Sequence, residues 1–363
     1  MDKNAVSQPT GTLAKKRALG SFVSNNSFII IFLVIFAAYL IINQGSTTIS
    51  GVMNILRHSA VVGIIGLGMG LVIITGGIDL SVGAMLPLIG GLSVVVFNST
   101  NSIWITLIFA LASGAFCGLI NGFLIGRVKM PAFIVTLATM LIYRSIAQYY
   151  LRTLGLSIYN MDGTLSSYDA FYGFGQSKLF DVVPTVGIIL ILVTAVIVFM
   201  TTSTAFGKSI FAIGSNEHAA HLAGVNVERT RVLVYVITGF LTGIGAFLLL
   251  SMNGSIDPAT VGKSYEMYAI AAVVIGGISM AGGRGRLLGV IFGAMSYTII
   301  DKIIMSLKVD ALINDTIKGS ILIIAVAVQI VVPMIRNRIK SKERSDNTPD
   351  NKAPEKVESK SST

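Results

Sequence analysis

Residues 60–83 read AVVGIIGLGMGLVIITGGIDLSVG, and this stretch decides the class of fold. From Ala60 to Thr75 there is no charge; two glycines, an aspartate and a serine then interrupt, and a second apolar run begins at Gly83. A segment apolar on every side suits hydrocarbon or a deep core, because it has no face for water. Nine further runs decide between those two. They lie at 28–42, 83–97, 103–126, 132–151, 182–201, 232–252, 267–281, 287–307 and 317–335. The 363 residues are 53% hydrophobic and only 12% charged, with mean hydropathy +0.79. Soluble domains carry roughly 25% charged residues, so the solvent for much of this surface is lipid. The pattern predicts an all-α polytopic membrane protein with about ten transmembrane helices. Crossing the hydrocarbon takes about 20 helical residues. The runs at 60–75, 83–97 and 267–281 are shorter, which leaves eight or nine full crossings plus broken helices within the pattern.

The net charge of +10 is topological rather than a nucleic-acid signature. Lys3, Lys15, Lys16 and Arg17 precede the first run, and eight more basic residues follow Ile335. With the N-terminus inside, the inner connections hold Arg127, Lys129, Lys208, Arg229, Arg231, Arg284 and Arg286, so nineteen of the 27 basic residues face the cytoplasm. That bias places both termini in the cytoplasm of a multi-pass protein. The first run is closed by no small-residue cleavage pattern and more spans follow it, so it reads as an uncleaved helix. The expected organisation is a cytoplasmic tail over 1–22, a membrane domain over 23–335 and a polar, disordered cytoplasmic tail over 336–363. The membrane domain includes an aromatic outer loop at 152–181 and an inner loop at 203–231. Glycines recurring every fourth residue (118, 122 and 126; 285, 289 and 293) and the Gly239/Gly243 pair predict close helix packing, chiefly within the chain.

A search for catalysis finds little. His218 and His221 lie three apart, but only Glu217 stands nearby to complete a metal shell. The Gly-Lys-Ser strings at 207–209 and 262–264 lack the first glycine of a phosphate loop, since Thr202 and Asp257 stand there. No cofactor and no metal are expected, and any ATP would be bound by another chain. The polar residues inside or beside the spans are the candidates for a solute path or gate: Gly76, Gly77, Asp79, Ser81, Asn121, Arg144, Glu266, Gly276 and Gly277. A carboxylate such as Asp79 at membrane depth faces protein or water. It serves either as part of a hinge or gate or as a cap on the next helix. Gly276-Gly277-Ile278 echoes Gly76-Gly77-Ile78 two hundred positions later. In the inner loop, Ser215 or Asn216 can start a helix that Gly224 ends. Two turns are marginal alone in water, so this helix should dock against something.

Three strings in order, Gly76–Met85 (GGIDLSVGAM), Phe206–Val227 (FGKSIFAIGSNEHAAHLAGVNV) and Tyr265–Gly289 (YEMYAIAAVVIGGISMAGGRGRLLG), carry a resemblance. Together with the intervening spans, roughly 45–335, the chain resembles the simple-sugar branch (ribose, galactose, xylose, arabinose) of bacterial ATP-binding-cassette importer permeases. The resemblance implies a non-enzymatic inner-membrane subunit that carries a small sugar. Its implied partners are a second permease, cytoplasmic ATPases and an extracytoplasmic binding protein. It also implies that Ser215, Asn216, Glu217, His218, Ala219, Ala220 and Gly224 form the coupling helix that seats in the ATPase. Two positions depart from the family pattern: His218 replaces an acidic residue before the two alanines, and Tyr268 replaces an aspartate in the string beginning at Tyr265. Alternatives that share these features are import of another small polar solute (autoinducer-2, inositol, a nucleoside) and a secondary transporter needing no ATPase. The 152–181 loop is read either as a docking surface for the binding protein or as a packed cap.

Overall fold

The computed structural model describes residues 27–43, 47–308, 310, 313–314, 316–327 and 331. The two expected tails, 1–22 and 336–363, lie outside the described residues. The chain divides into two compact units, at 1–317 and 318–363.

Apolar runs become helices throughout. In order these are α1 (Ser27–Ile42), α2 (Ile49–Ile74), α3 (Val82–Thr100), α4 (Ile103–Gly122), α5 (Ala132–Thr153), α6 (Tyr168–Gln176), α7 (Thr185–Ser203), α8 (Ala205–Ser215), α9 (Glu217–Leu222), α10 (Val227–Asn253), α11 (Tyr265–Ile275) and α12 (Leu288–Ser306). A further apolar helix, α13, covers Thr316–Ala327. Two-residue strands pair as β1 (Tyr159–Asn160) with β4 (Ser255–Ile256) and β2 (Lys178–Leu179) with β3 (Val183–Pro184), both antiparallel. Among the described residues, seven helices are long and apolar enough to cross a membrane, with three shorter apolar ones beside them. The molecule is an all-α polytopic membrane protein.

Two of the three short runs lengthen. The run at 60–75 becomes the 26-residue α2, because Asn54, Arg57, His58 and Ser59 continue the helix and Thr48 caps it, its side chain accepting from Gly51 N–H at 3.1 Å. The run at 83–97 reaches 19 residues as α3. The run at 267–281 stays short: α11 has 11 residues, about 16 Å of rise, which is half a bilayer. Residues 254–264, outside any helix, precede it.

Helix α2 is the centre of the bundle, with 89% of its apolar window buried, whereas α4 and α5 are each 28% buried and show their apolar faces outward. Small residues permit the close contacts. A methyl at Gly122 would stand 2.7 Å from the Val232 carbonyl oxygen, and one at Gly126 2.9 Å from that of Glu228, so α4 and its π-helical end (Phe123–Arg127) lie directly on α10. Gly239 and Gly243 complete that seam against Gly114 and Ala110. On the other ridge, Gly289 meets Gly276 and Gly293 meets Ala272. Gly285 drops out of this ridge, because it lies before α12 with φ +139°. Both seams are intramolecular.

Candidate functional site

The candidates separate into three places. The first is the end of the bundle that carries the connections 75–81, 204–226 and 276–287. Here α2 and α11 stop in the same way. Gly76 (φ +85°) follows the last turn of α2, with Gly76 N–H bonded to Ile73 O at 2.9 Å and Gly77 N–H to Val72 O at 3.0 Å. Gly277 (φ +83°) follows α11, with Gly277 N–H to Val274 O at 2.9 Å and Ile278 N–H to Val273 O at 3.1 Å. Each is a left-handed glycine cap of the Schellman type. The sequence echo is thus a structural one, offset by one residue: the left-handed position is the first glycine of one pair and the second of the other.

The inner-loop candidates form a helical elbow. Asn216 starts α9, its Oδ1 accepting from Ala219 N–H at 2.9 Å, and Gly224 (φ +84°) follows its end. Glu217 receives both guanidinium nitrogens of Arg231, at 2.8 and 2.6 Å, which fastens α9 to α10. Ala220 is buried with Ile213 and Val227, whereas His218, Ala219, His221 and Leu222 face outward. Leu222, 74% exposed on a six-residue helix, is an apolar knob that the motif did not single out. The elbow touches both glycine caps. Gly283 N–H donates to Ile74 O at 2.9 Å, joining the two interruptions. Gly214 of α8 lies against that same carbonyl and 2.5 Å (as a would-be Cβ) from Gly283 N. Ser215 Oγ donates to Gly283 O at 3.5 Å. Beside the elbow opens a cleft of about 1020 Å³ lined by Gly76, Gly77, Lys129, His218, His221 and Arg231, among others.

The second place is buried. Asp79, Ser81 and Asn121 are each 0% exposed. Asp79 Oδ1 accepts from Ser81 N–H (3.0 Å) and Ser81 Oγ (2.6 Å), and Asn121 Nδ2 donates to Ser81 Oγ at 2.8 Å. Ser81, not Asp79, occupies the N-cap position of α3. Asp79 instead folds the preceding turn and ties it to α4 through Asn121.

The third place lies midway along α5. Arg144 donates to the carbonyls of Pro258 (2.9 Å), Val261 (2.5 Å) and Gly83 (3.3 Å), and Gln148 Nε2 donates to Pro258 O at 3.4 Å. The need is chemical. Pro87 has no N–H to offer the carbonyl four residues back, which is Gly83. Residues 254–264 carry carbonyls outside any helix beside α3, where Ile256 meets Gly90 and Gly262 meets Gly83. Non-helical backbone at membrane depth persists only where protein or a water-lined cavity satisfies it, and Arg144 supplies much of that satisfaction. Glu266, in the first turn of α11, presses on Gly83. Among the described residues, no three His, Cys, Asp or Glu side chains gather as a metal shell.

At the opposite end, the 152–181 loop is mostly exposed and is anchored to the bundle by a few buried residues. Tyr159 and Phe171 are buried, and Phe171 stacks on Phe247 of α10 at 4.8 Å and lies 5.2 Å from Phe97. Gln176 bridges Arg57 Nη2 (2.6 Å) and Met252 O (2.8 Å). Phe180, 86% exposed, stands at the turn between β2 and β3, in the left-handed region with Asp181.

The family profile described as "Branched-chain amino acid transport system / permease component" matches residues 51–326. The chain is 33% identical over 308 residues to the ribose import permease protein of Haemophilus influenzae, covering 85% of this chain and 94% of that one. It is 36% identical over 279 residues to the ribose import permease protein of Bacillus subtilis, with 76% and 83% covered. The fructose import permease protein of Rhizobium meliloti is 35% identical over 280 residues, 76% of each chain. No solved structure matches significantly. A helical bundle built for lipid, with a docked two-helix elbow at one end and a profile match over most of its length, belongs to this permease family: the chain is the membrane-embedded transport subunit of an ATP-binding-cassette importer, not an enzyme.

Proposed function

We propose that this permease imports a small uncharged sugar, of the ribose or galactose kind, across the bacterial inner membrane. It would work with a second permease subunit, identical or related, with cytoplasmic ATPases and with an extracytoplasmic binding protein. One observation carries the sugar: relatives matching most of the chain are named for ribose and fructose import. The chemistry at mid-depth supports it. The Arg144 guanidinium is held by three backbone carbonyls, so it is not free to grip the carboxylate of an amino acid. A polyol asks instead for neutral hydrogen-bonding groups, which the backbone of residues 257–264 and the Gln148 side chain provide.

The mechanism follows from the elbow. ATP closes the partner ATPases, which seat on the face formed by His218, Ala219, His221 and Leu222. The force passes through α8 at Gly214 and Ser215 to the joint of Ile74 O and Gly283 N–H. That joint belongs to both glycine-capped interruptions, Gly76-Gly77 and Gly276-Gly277, so α2 and α11 move together. A ligand shifts such an equilibrium only through its different contacts with the two states, and the elbow is where nucleotide state makes that difference. Asp79, Ser81 and Asn121 keep the first interruption attached to α3 and α4. Arg144 and Glu266 hold the non-helical lane beside which solute passes.

The family description names branched-chain amino acids, so the test is a panel. Cells expressing this permease with its ATPase and binding protein are given labelled ribose, galactose, fructose and leucine. Saturable uptake of at least one sugar, with leucine at background, is expected. Leucine uptake with no sugar uptake overturns the sugar.

A further inference from the structure

Beside the first glycine interruption, three buried oxygens have no hydrogen-bond partner among the described residues: Asp79 Oδ2, Asn121 Oδ1 and Tyr235 Oη. They come from three elements, the 75–81 connection, α4 and α10. They also belong to one neighbourhood. Asp79 Oδ1 and Asn121 Nδ2 share the Ser81 hydroxyl, and Tyr235 Oη lies against Gly77, two residues from Asp79. Asp79, Asn121 and Tyr235 are 0%, 0% and 1% exposed. A buried polar atom without a partner costs about 1–3 kcal/mol, and more when it is charged, so the gathering of three of the seven such atoms among the described residues in one neighbourhood points to something they share.

We infer that a single water molecule is bound here and forms part of the fold. The donor count fits one water. Asp79 Oδ2 and Asn121 Oδ1 accept only, and Tyr235 Oη has a proton to give, so a water donates twice and accepts once. Three bonds are what buried waters typically make. A cation fits worse. Ser81 N–H and Ser81 O–H already occupy Asp79 Oδ1, which leaves three oxygens where a cation would need an oxygen cage of about six.

Gly77 lets the Tyr235 hydroxyl come close to the interruption. A methyl on Gly77 would stand 2.8 Å from Tyr235 Oη, and Gly77 also lines the 1020 Å³ cleft beside the elbow. Gly77 is therefore common to the cleft lining and to the surroundings of Tyr235 Oη. The water ties the first interruption to α4 and α10 through bonds that can be remade when the interruption moves.

Hydroxyl-radical footprinting of the intact, assembled importer tests this, because radicals generated from a bound water oxidise the side chains that touch it. Tyr159 and Tyr143 are the internal controls. Both are buried, at 1% and 4% exposure, and their hydroxyls donate to the carbonyls of Ala147 (2.9 Å) and Cys117 (3.2 Å). Tyr235 is expected to be oxidised several-fold faster than either control, equally in sodium and in N-methylglucamine buffers. Oxidation of Tyr235 at the control rate overturns the inference. So does oxidation that sodium suppresses, which would assign the place to a cation. Because the wild-type chain is used, misfolding of a variant cannot confuse the outcome.

Discussion

Gly214→Ala is the sharpest perturbation of the joint between the elbow and the glycine caps. The added methyl would fall 2.5 Å from Gly283 N and 2.9 Å from the Ile74 carbonyl carbon, with the Ile74 oxygen nearer still. Carbon contacts are comfortable at about 3.5 Å, so α8 and the joint must separate by roughly 1 Å. That separation breaks the 2.9 Å bond from Gly283 N–H to Ile74 O. Losing a buried hydrogen bond costs about 1–3 kcal/mol, and forcing a group into a packed site about 1–3 kcal/mol more. Even the low sum, about 2 kcal/mol, shifts a two-state equilibrium about thirtyfold. The assay is sugar transported per ATP hydrolysed by the assembled importer in proteoliposomes. A fall of at least about tenfold is expected, with ATP hydrolysis retained. Gly224→Ala is the control: its φ is +84° but nothing lies within 4 Å of the added methyl, so it costs only local strain, about 1 kcal/mol, and transport should persist. An assembled Gly214→Ala importer with unchanged transport per ATP would refute the reasoning.

Arg144→Met leaves three carbonyls without their donor; thermal unfolding of the purified complex should show a loss of several kcal/mol, on the order of 1–3 per orphaned group, with Arg144→Lys intermediate. Glu217→Arg alone should weaken the seating of α9 on α10, and adding Arg231→Glu should recover most of the lost transport; because the pair is partly exposed, at 52% and 25%, its worth is at most about 1 kcal/mol and should shrink in high salt. Leu222→Asp is expected to abolish co-purification of the ATPase without altering membrane insertion, since Leu222 is an exposed knob, whereas Ala220→Leu should destabilise the elbow itself, which buries Ala220. Phe180→Ala should reduce binding-protein-stimulated ATP hydrolysis while basal hydrolysis stays constant, because that ring projects from the loop at 86% exposure.

Much of this was legible in the sequence because the membrane makes the pattern coarse. Uncharged runs announce helices, and Asn216 and Gly224 bracket α9 at the positions their chemistry favours. Hydropathy understated α2, because Arg57 and His58 end a hydrophobic window without ending a helix. It is also silent on the lane at 254–264. Ser255, Asp257, Thr260 and Lys263 make that stretch read as a surface loop, and its depth becomes evident only when Arg144 is seen reaching its carbonyls. Pro87 within a span was an available signal, since it leaves the Gly83 carbonyl in need of a donor. Gly214 carried no local signal at all. Its role arises from contact with Ile74 and Gly283, residues far away in sequence, and no periodicity reports such a meeting. The outer loop shows the same limit: six aromatics look alike in sequence, yet Phe171 lies in the core and Phe180 projects.

The most direct test of a subunit driven through its elbow is labelled-sugar uptake into proteoliposomes containing this permease with its ATPase and binding protein, compared with the permease alone. Concentrative uptake is expected only when all partners and ATP are present, and it should stop when the ATPase is replaced by a hydrolysis-deficient form. Accumulation by the permease alone, driven by an ion gradient, would contradict the account.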